Sequence, residues 1–469
     1  MPPPAPPKGG GSGVRSISQG AFDDLVRENI EDLGMDPAEA LQDAIDTLTL
    51  QSVDLSGIVT CVPGEGGVKD NPVLRCLDKL KQLQSELKDR VYESDELVEC
   101  LEELSSLCSL EGSGNAAVAT RNGAVELICL FCGQIELRYN RALNASLRAL
   151  APLLNDMQSR EQFKDCHGPK TIVGILDVSE NLETLAAGFS IVALAATANE
   201  ILKESFMELK IDDIIIRVLT RPGKQCIQSV YDAIRVLLAA DDNRVVASQV
   251  YGYARRFAKI GIVVVLVESL HEGISSPSLV SACIALKAIA VNDEICKSIA
   301  ENGGIDALLN CIDDSGAQGN KIAAKVCCSL LSKLAGSDTN KNTIVEKKGM
   351  DKLIMLSSRF GDDPSVLQEV MSIISILCLR SPDNAARAIE VGAGDLALQA
   401  MQKFPNAQQM QRSSCLMIRN LAVRNTENRT LFLGNGVDKY IRKARQNHEC
   451  CKDAATDALR DLGLDDYNS

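Results

Sequence analysis

Tryptophan is absent from this chain, histidine occurs three times, and aromatic residues make up 3% of its 469 positions. So few rings argue against an aromatic-lined ligand cavity and leave a core of small aliphatic packers. A membrane-length apolar run is missing too. The longest uncharged stretch, Thr184 to Asn199, falls short of the roughly 20 apolar residues that a span requires, and it contains Thr, Ser and Asn. No signal peptide opens the sequence, and no lipidation or retention signal closes it at DDYNS. The expectation is a soluble cytoplasmic chain, present also in the nucleus, with no membrane partner.

A basic domain is likewise lacking. The formal net charge is −14, and it is unevenly spread. Residues 21–112 hold 22 acidic against 7 basic side chains, so almost all of the excess belongs to the N-terminal region and the remainder is near neutral. Nucleic-acid binding needs a basic stripe, so it is not expected. Nor is there a G-x-x-x-x-G-K-[ST], G-x-S-x-G or H-E-x-x-H motif; Arg221-Pro222-Gly223-Lys224 lacks both the leading glycine and the trailing hydroxyl of a phosphate loop.

Cysteine is abundant, with 17 residues, but the number is odd and the positions are scattered through apolar helical patterns, as Cys283 is in LVSACIALKAIA. That fits a reducing compartment. Cys129 and Cys132 form a C-x-x-C without a second pair, inside the apolar run AVELICLFC, and read as core. His448-Glu449-Cys450-Cys451 has no partner cluster for a metal. Cys166 and His167 are neighbours on one backbone, followed by Gly168-Pro169 at a turn, and His271 begins a loop without a companion. No catalytic residue, metal or cofactor is assigned.

What is present is a repeat. Hydrophobic residues make up 45% of the chain, enough for a continuous core. A phrase of polar residue, glycine and apolar run returns at RNGAVELICLF (121), HGPKTIVGIL (167), AENGGIDALLNCI (300), EKKGMDKLIML (346), EVGAGDLALQAM (390) and GNGVDKYIRKA (434), with weaker copies at 209 and 258. Gly123 and Gly436 bound seven intervals, which sets a period of about 45 residues, inside the range of about 40–47 for armadillo and HEAT units.

Each unit reads as three helices. NDEICKSIAENGG is a short first helix ended by Gly303 and Gly304, where positive φ is expected, and IDALLNCI follows as the second. A third, such as SPSLVSACIALKAIAV, keeps Leu279, Ala282, Cys283, Leu286 and Ile289 at helical spacing. SVLQEVMSIISILCL does the same with Leu367, Val370, Ile374 and Leu377, and Pro277, Pro364 and Pro405 stand before or at the start of third helices. Strand alternation is not seen.

The N-terminal region divides further. Residues 1–15 form a Pro/Gly tail expected to be disordered, 16–62 an acidic helical segment, 63–70 a linker and 71–465 the repeat array. Ser18 caps a helix with Phe22, Leu25, Val26, Ile30 and Leu33 on one face, closed by Gly34. Asp36-Pro37-Ala38-Glu39 has the order of a capping box for a second helix carrying Leu41, Ala44, Ile45 and Leu48.

The segment MIRNLAVRNTENRTLFLGNGVDKYI (417–441), with Asn-Leu-Ala, an Asn-containing turn and the glycine joint, resembles the armadillo repeat. The opening RSISQGAFDDLVRENIEDLGMDPAEALQDAIDTLTLQSVDLSGIV resembles the N-terminal segment of one armadillo family whose biochemical role is poorly defined. The resemblance implies an all-α fold, an armadillo-type right-handed α-solenoid behind an N-terminal helical segment. It also implies a groove lined by third helices. Nuclear-import adaptors of this kind grip extended basic peptides there with a ladder of Asn and Trp. This chain has no Trp, and the ladder column reads Ala193, Val236, Ala288, Lys333 and Ile376, reaching Asn only at Asn420.

At or beside that column stand Arg235, Lys287, Lys333 and Arg419, a weakly basic row suited to acidic or extended partner segments. The expected function is a non-enzymatic, monomeric protein-interaction scaffold. A transport or chaperone adaptor for extended clients and a regulatory subunit of an enzyme complex stand beside it as alternatives. The acidic segment is expected either to compete with acidic partners at the groove or to cap the first repeat.

Overall fold

In the computed structural model, described over residues 15–55, 57–60, 62, 71–86, 95–221, 228–239 and 247–464, helices dominate. Of the tail expected over 1–15, residues 1–14 lie outside the described residues, as does the linker 63–70, whereas Arg15 pairs in a strand instead of being disordered. Two compact units are distinguished, Met1–Leu209 and Lys210–Ser469.

The first unit opens with α1 (Gln19–Glu31) and α2 (Pro37–Leu50), which close on a small core of Phe22, Val26, Ala44, Leu48 and Ile58. Ser18 caps α1 by accepting from the Ala21 N–H at 3.2 Å. At α2 the Asp36 carboxylate takes the Ala38 N–H at 3.0 Å, one residue before Glu39, so the expected reciprocal box is replaced by a simple cap. Leu33 also departs from expectation. It falls beyond the end of α1, and its side chain is 69% exposed. A two-residue parallel pairing of Arg15–Ser16 with Val53–Asp54, too short to show as alternation in sequence, is the one strand contact among the described residues.

Asp54 and Gly57 lie on the first repeat. The Arg121 guanidinium reaches Asp54 Oδ2 at 3.4 Å, and a Cβ on Gly57 would stand 2.7 Å from Arg121 Cδ and 2.9 Å from the Ala117 carbonyl.

A helix pair, α3 (Pro72–Glu86) and α4 (Asp95–Cys108), precedes α5 (Asn115–Arg121), α6 (Ala124–Gln134) and α7 (Asn140–Leu150). Then come α8 (Met157–Asp165), α9 (Gly168–Val178), α10 (Leu182–Ala196) and α11 (Glu200–Glu208). The second unit continues the order with α12 (Ile211–Leu219), α13 (Gln228–Leu237), α14 (Ala247–Lys259), α15 (Ile262–His271) and α16 (Leu279–Ile289). It ends with α17 (Asp293–Glu301), α18 (Gly304–Gln318), α19 (Lys321–Leu334), α20 (Asp338–Glu346), α21 (Gly349–Arg359), α22 (Pro364–Cys378), α23 (Pro382–Glu390), α24 (Ala393–Lys403), α25 (Gln408–Ala422), α26 (Thr426–Gly434), α27 (Val437–Asn447) and α28 (Lys452–Asp461). From α5 onward the order is short first helix, second helix, third helix, the repeat of an all-α solenoid.

One joint recurs between first and second helices. The residue before each second helix has positive φ: Gly123, His167, Lys210, Gly261, Gly303, Lys348, Gly392 and Gly436. Glycine was the expected occupant, yet three joints use His or Lys, which tolerate the left-handed region at some cost. At the Gly303-Gly304 pair only Gly303 has positive φ, +86°. Gly304 is helical and is needed for space, since a Cβ there would meet the Ile299 carbonyl oxygen at 2.7 Å.

Buried amides tie two of the repeats to their predecessors. Asn340 Nδ2 donates to the Cys296 and Leu334 carbonyls at 2.9 and 3.2 Å, and Asn428 Nδ2 to those of Ala385 and Leu421 at 3.2 and 2.9 Å. The Leu421 carbonyl lies in the last turn of α25, where a helix end leaves acceptors without a partner within the helix. Among the described residues no single helix is long and apolar enough to cross a membrane.

Candidate functional site

Three of the third helices, α10, α19 and α22, start at a polar residue that supplies a side-chain cap. Asn320 accepts from the Ala323 N–H at 3.0 Å to begin α19, and Asp363 from the Ser365 N–H at 2.9 Å to begin α22 behind Pro364. Apolar residues at helical spacing then bury one side, Leu367, Val370, Ile374 and Leu377 in α22 among them. In the second unit α13, α16, α19, α22, α25 and α28 pack directly on one another in that order, so the sides that remain open share one surface.

The five sequence-predicted residues all stand on these helices. Arg235, Lys287 and Lys333 are exposed, whereas Arg419 and Asn420 are half-buried. Their surroundings differ. Arg235 Nε lies 3.8 Å from Asp232 Oδ1 on its own helix. Lys287 Nζ donates to Ser329 Oγ at 2.6 Å, and Glu369 of α22 faces Lys287, Lys325 and Ser329. Burial raises the Glu369 carboxyl above its ordinary value, against the pull of the two lysines. Arg419 bridges to α28, with Nη1 3.1 Å from Asp457 Oδ2 and Nε 3.2 Å from Asp461 Oδ2. Asn420 Nδ2 donates to the Ser375 carbonyl at 2.8 Å and to Ser375 Oγ at 2.9 Å, so the lone ladder asparagine holds α25 to α22. The row therefore alternates cations with carboxylates.

The first unit carries a related face that the sequence reading missed. Helices α4, α7 and α10 stack on one another and, with the turn at Leu110–Gly114, border a groove of about 730 Å³. Its lining includes the small residues Ser105, Ala151, Ala187 and Ser190 together with Leu147 and Leu194. Arg148 at its edge reaches Glu183 Oε2 at 3.3 Å. That carboxylate oxygen also accepts from Asn144 Nδ2 at 3.3 Å, and Thr184 Oγ1 donates to Asn144 Oδ1 at 2.7 Å. The signal was available: LRALA at 147–151 parallels IRNLA at 418–422, which places Arg148 in the column of Arg419.

The remaining candidates are placed by packing. Cys129 and Cys132 are buried in α6, and burial pushes the Cys132 thiol up to about 12. The reverse shift would be needed for a reactive thiolate. His167 occupies a left-handed joint, His271 lies against Gly303, and His448 Nε2 is 2.7 Å from the Pro405 carbonyl oxygen. Cys451 is buried, its thiol raised to about 12 chiefly by desolvation. Among the described residues no three His, Cys, Asp or Glu side chains converge as a metal site.

Comparison with known proteins agrees with the geometry. Residues 14–86 match the family described as the armadillo repeat-containing protein 6 N-terminal domain. The human armadillo repeat-containing protein 6 is 27% identical over 388 residues, covering 79% of this chain and 75% of that protein. The Drosophila melanogaster homolog is 23% identical over 385 residues, covering 81% of this chain and 80% of its own. A crystal structure of an engineered protein, 15% identical, superposes with a TM-score of 0.56 and covers 82% of this chain and 99% of that one, a likeness of fold alone. Repeat, joint and N-terminal segment together make this chain similar to armadillo repeat-containing protein 6, most specifically over residues 14–86.

Proposed function

We propose that the chain is a non-enzymatic scaffold that binds acidic, extended segments of protein partners on the third-helix face of its second unit. The observation that carries this reading is the unbroken packing of α13, α16, α19, α22, α25 and α28, four of which bear one cation each, Arg235, Lys287, Lys333 and Arg419, while α22 bears none at that position. Such a face lengthens with every unit, as solenoid binding surfaces do. Each exposed cation contributes only about 0–1 kcal/mol to an ion pair in water, so affinity must be summed over several repeats. Asp232, Glu369, Asp457 and Asp461 already face three of these cations, so an acidic ligand competes with them and binding weakens with salt.

Asn420 favours this reading over a cargo adaptor, because its amide is committed to Ser375 and is withheld from a peptide backbone. No cofactor, metal, nucleic acid or membrane enters the proposal. The chain acts as a monomer in the cytoplasm and nucleus.

The test is affinity capture or proximity labelling with the native chain and with a variant carrying Arg235→Glu, Lys287→Glu and Lys333→Glu. Adding Arg419→Glu would also break the bridge to α28, so the triple variant is the cleaner probe. Loss of a defined set of partners, at least tenfold in recovery, supports the assignment, about 1.4 kcal/mol in all. An identical partner set from both chains overturns it.

A further inference from the structure

Two thiols at the start of the array lie against each other. Cys76 belongs to α3 and Cys100 to α4, and their Sγ atoms are 3.3 Å apart. Each also faces the other's backbone: Cys76 Sγ donates to the Cys100 carbonyl at 3.0 Å, and Cys100 Sγ to the Cys76 carbonyl at 3.4 Å. By contrast, Cys283 and Cys327 are 4.0 Å apart. A disulfide brings the sulfurs to about 2 Å, so little more than an ångström of closure is required.

Both thiols are buried, at 3% and 2% exposure, so an oxidant reaches them only when the helix pair opens. The position of α3 makes that opening accessible. Among the described elements it packs chiefly on α4, α5 and α6, as the outer helix of a repeat array, and terminal elements open at lower free energy than interior ones. The two sulfurs are also unequal. The hydrogen bond from Cys76 holds the Cys100 thiol below its ordinary value, aided by the Lys79 ammonium, while the Cys76 thiol is raised.

We propose that Cys76 and Cys100 are a redox modification site, which hydrogen peroxide converts to a reversible disulfide that staples α3 to α4. The Cys100 thiolate attacks one peroxide oxygen; the O–O bond breaks, leaving a sulfenic acid and a hydroxide that takes up a proton. Cys76 sulfur then attacks the sulfenic sulfur, and the hydroxyl departs as water with the Cys76 proton. Two thiols and one peroxide give one disulfide and two waters, with the sulfurs oxidised and the peroxide oxygens reduced. Closing the chain between 76 and 100 restricts the opened state, so the modified first repeat opens less often.

The full-length chain, treated with dilute hydrogen peroxide, alkylated and mapped without reduction, tests this. A Cys76–Cys100 linked peptide should appear before any other cross-link, vanish on thiol reduction, and accompany at least tenfold slower amide exchange within 72–86. Cys76→Ala should abolish both changes, although the mapping of the native chain stands without it. If both thiols remain alkylatable after peroxide has already cross-linked another pair or oxidised the more exposed Cys166, the proposal fails.

Discussion

At the scale of single residues, the joints between first and second helices concentrate the backbone constraints of this chain. Gly304, Gly349 and Gly168 each follow a left-handed residue, and a Cβ on any of them would enter the carbonyl oxygen five residues earlier: Ile299, Ile344 and Phe163, at 2.7, 2.7 and 2.6 Å. Backbone cannot yield as a flexible side chain can. Gly304→Ala is therefore expected to destabilise the chain by about 1–3 kcal/mol, seen as a lower urea midpoint. Gly174, exposed within α9 and open at its Cβ position, is the control. Gly174→Ala should raise the midpoint by the equivalent of about 0.5–1 kcal/mol. Equal effects from the two substitutions would remove the close approach as the cause. The doublet Gly303-Gly304 was readable in sequence as a joint, but which glycine serves φ and which serves space was not, because both demands leave the same letter. His167, Lys210 and Lys348 were harder still, since a non-glycine left-handed residue carries no compositional mark.

Helices are the next scale, and here a side-chain cap marks the start of α10, α19 and α22. Asp363 shows how much one side chain can hold. The Ser365 hydroxyl first, then Lys321 and the Ser365 and Val366 N–H groups, keep its carboxyl at about 2. Lys321 Nζ is 2.9 Å away on α19, so the cap also links neighbouring third helices. The folded-state value lies below the ordinary 3.8, so stability from this group is fully present above pH about 4 and is lost as pH falls through about 2. Asp363→Ala should cost about 1 kcal/mol near neutrality and progressively less toward pH about 2, as followed by urea midpoints at several pH values. A cost that does not shrink on acidification would assign it to lost packing instead. Asp363-Pro364-Ser365 was legible beforehand as a helix start, and so was the apolar side of α22. The contacts of Asn420 and Arg419 were not, because a sequence column says which positions face outward but not which neighbouring carboxylate or hydroxyl will occupy them.

For the whole chain, charge and repeat number pose the remaining question, the purpose of an acidic N-terminal segment ahead of a near-neutral array. Sequence alone left two roles open, competitor at the third-helix face or cap on the first repeat, since net charge carries no position. The contacts of Asp54 and Gly57 favour the cap. Asp54 meets Arg121, and Gly57 lies against Ala117 and Arg121, all on α5. Arg121 Nη1 is buried without a hydrogen bond, so this guanidinium is already poorly solvated and depends on Asp54 for its compensation.

Repeat arrays couple mainly through nearest neighbours, so losing a terminal cap should be felt locally. Deleting residues 1–62 is expected to speed amide exchange in α3, α4 and α5 by tenfold or more, about 1.4 kcal/mol of local stability, and to leave α19 through α28 unchanged. Uniform acceleration everywhere would mean that the segment supports folding of the entire chain. No acceleration at α5 would mean that Asp54 and Gly57 rest there without stabilising it, and the competitor role would regain its standing. The same deletion separates the roles at the level of binding. A cap leaves the affinity for an acidic partner unchanged at low and at high salt, whereas a competitor's removal strengthens it at low salt alone, because salt weakens contacts between exposed charges.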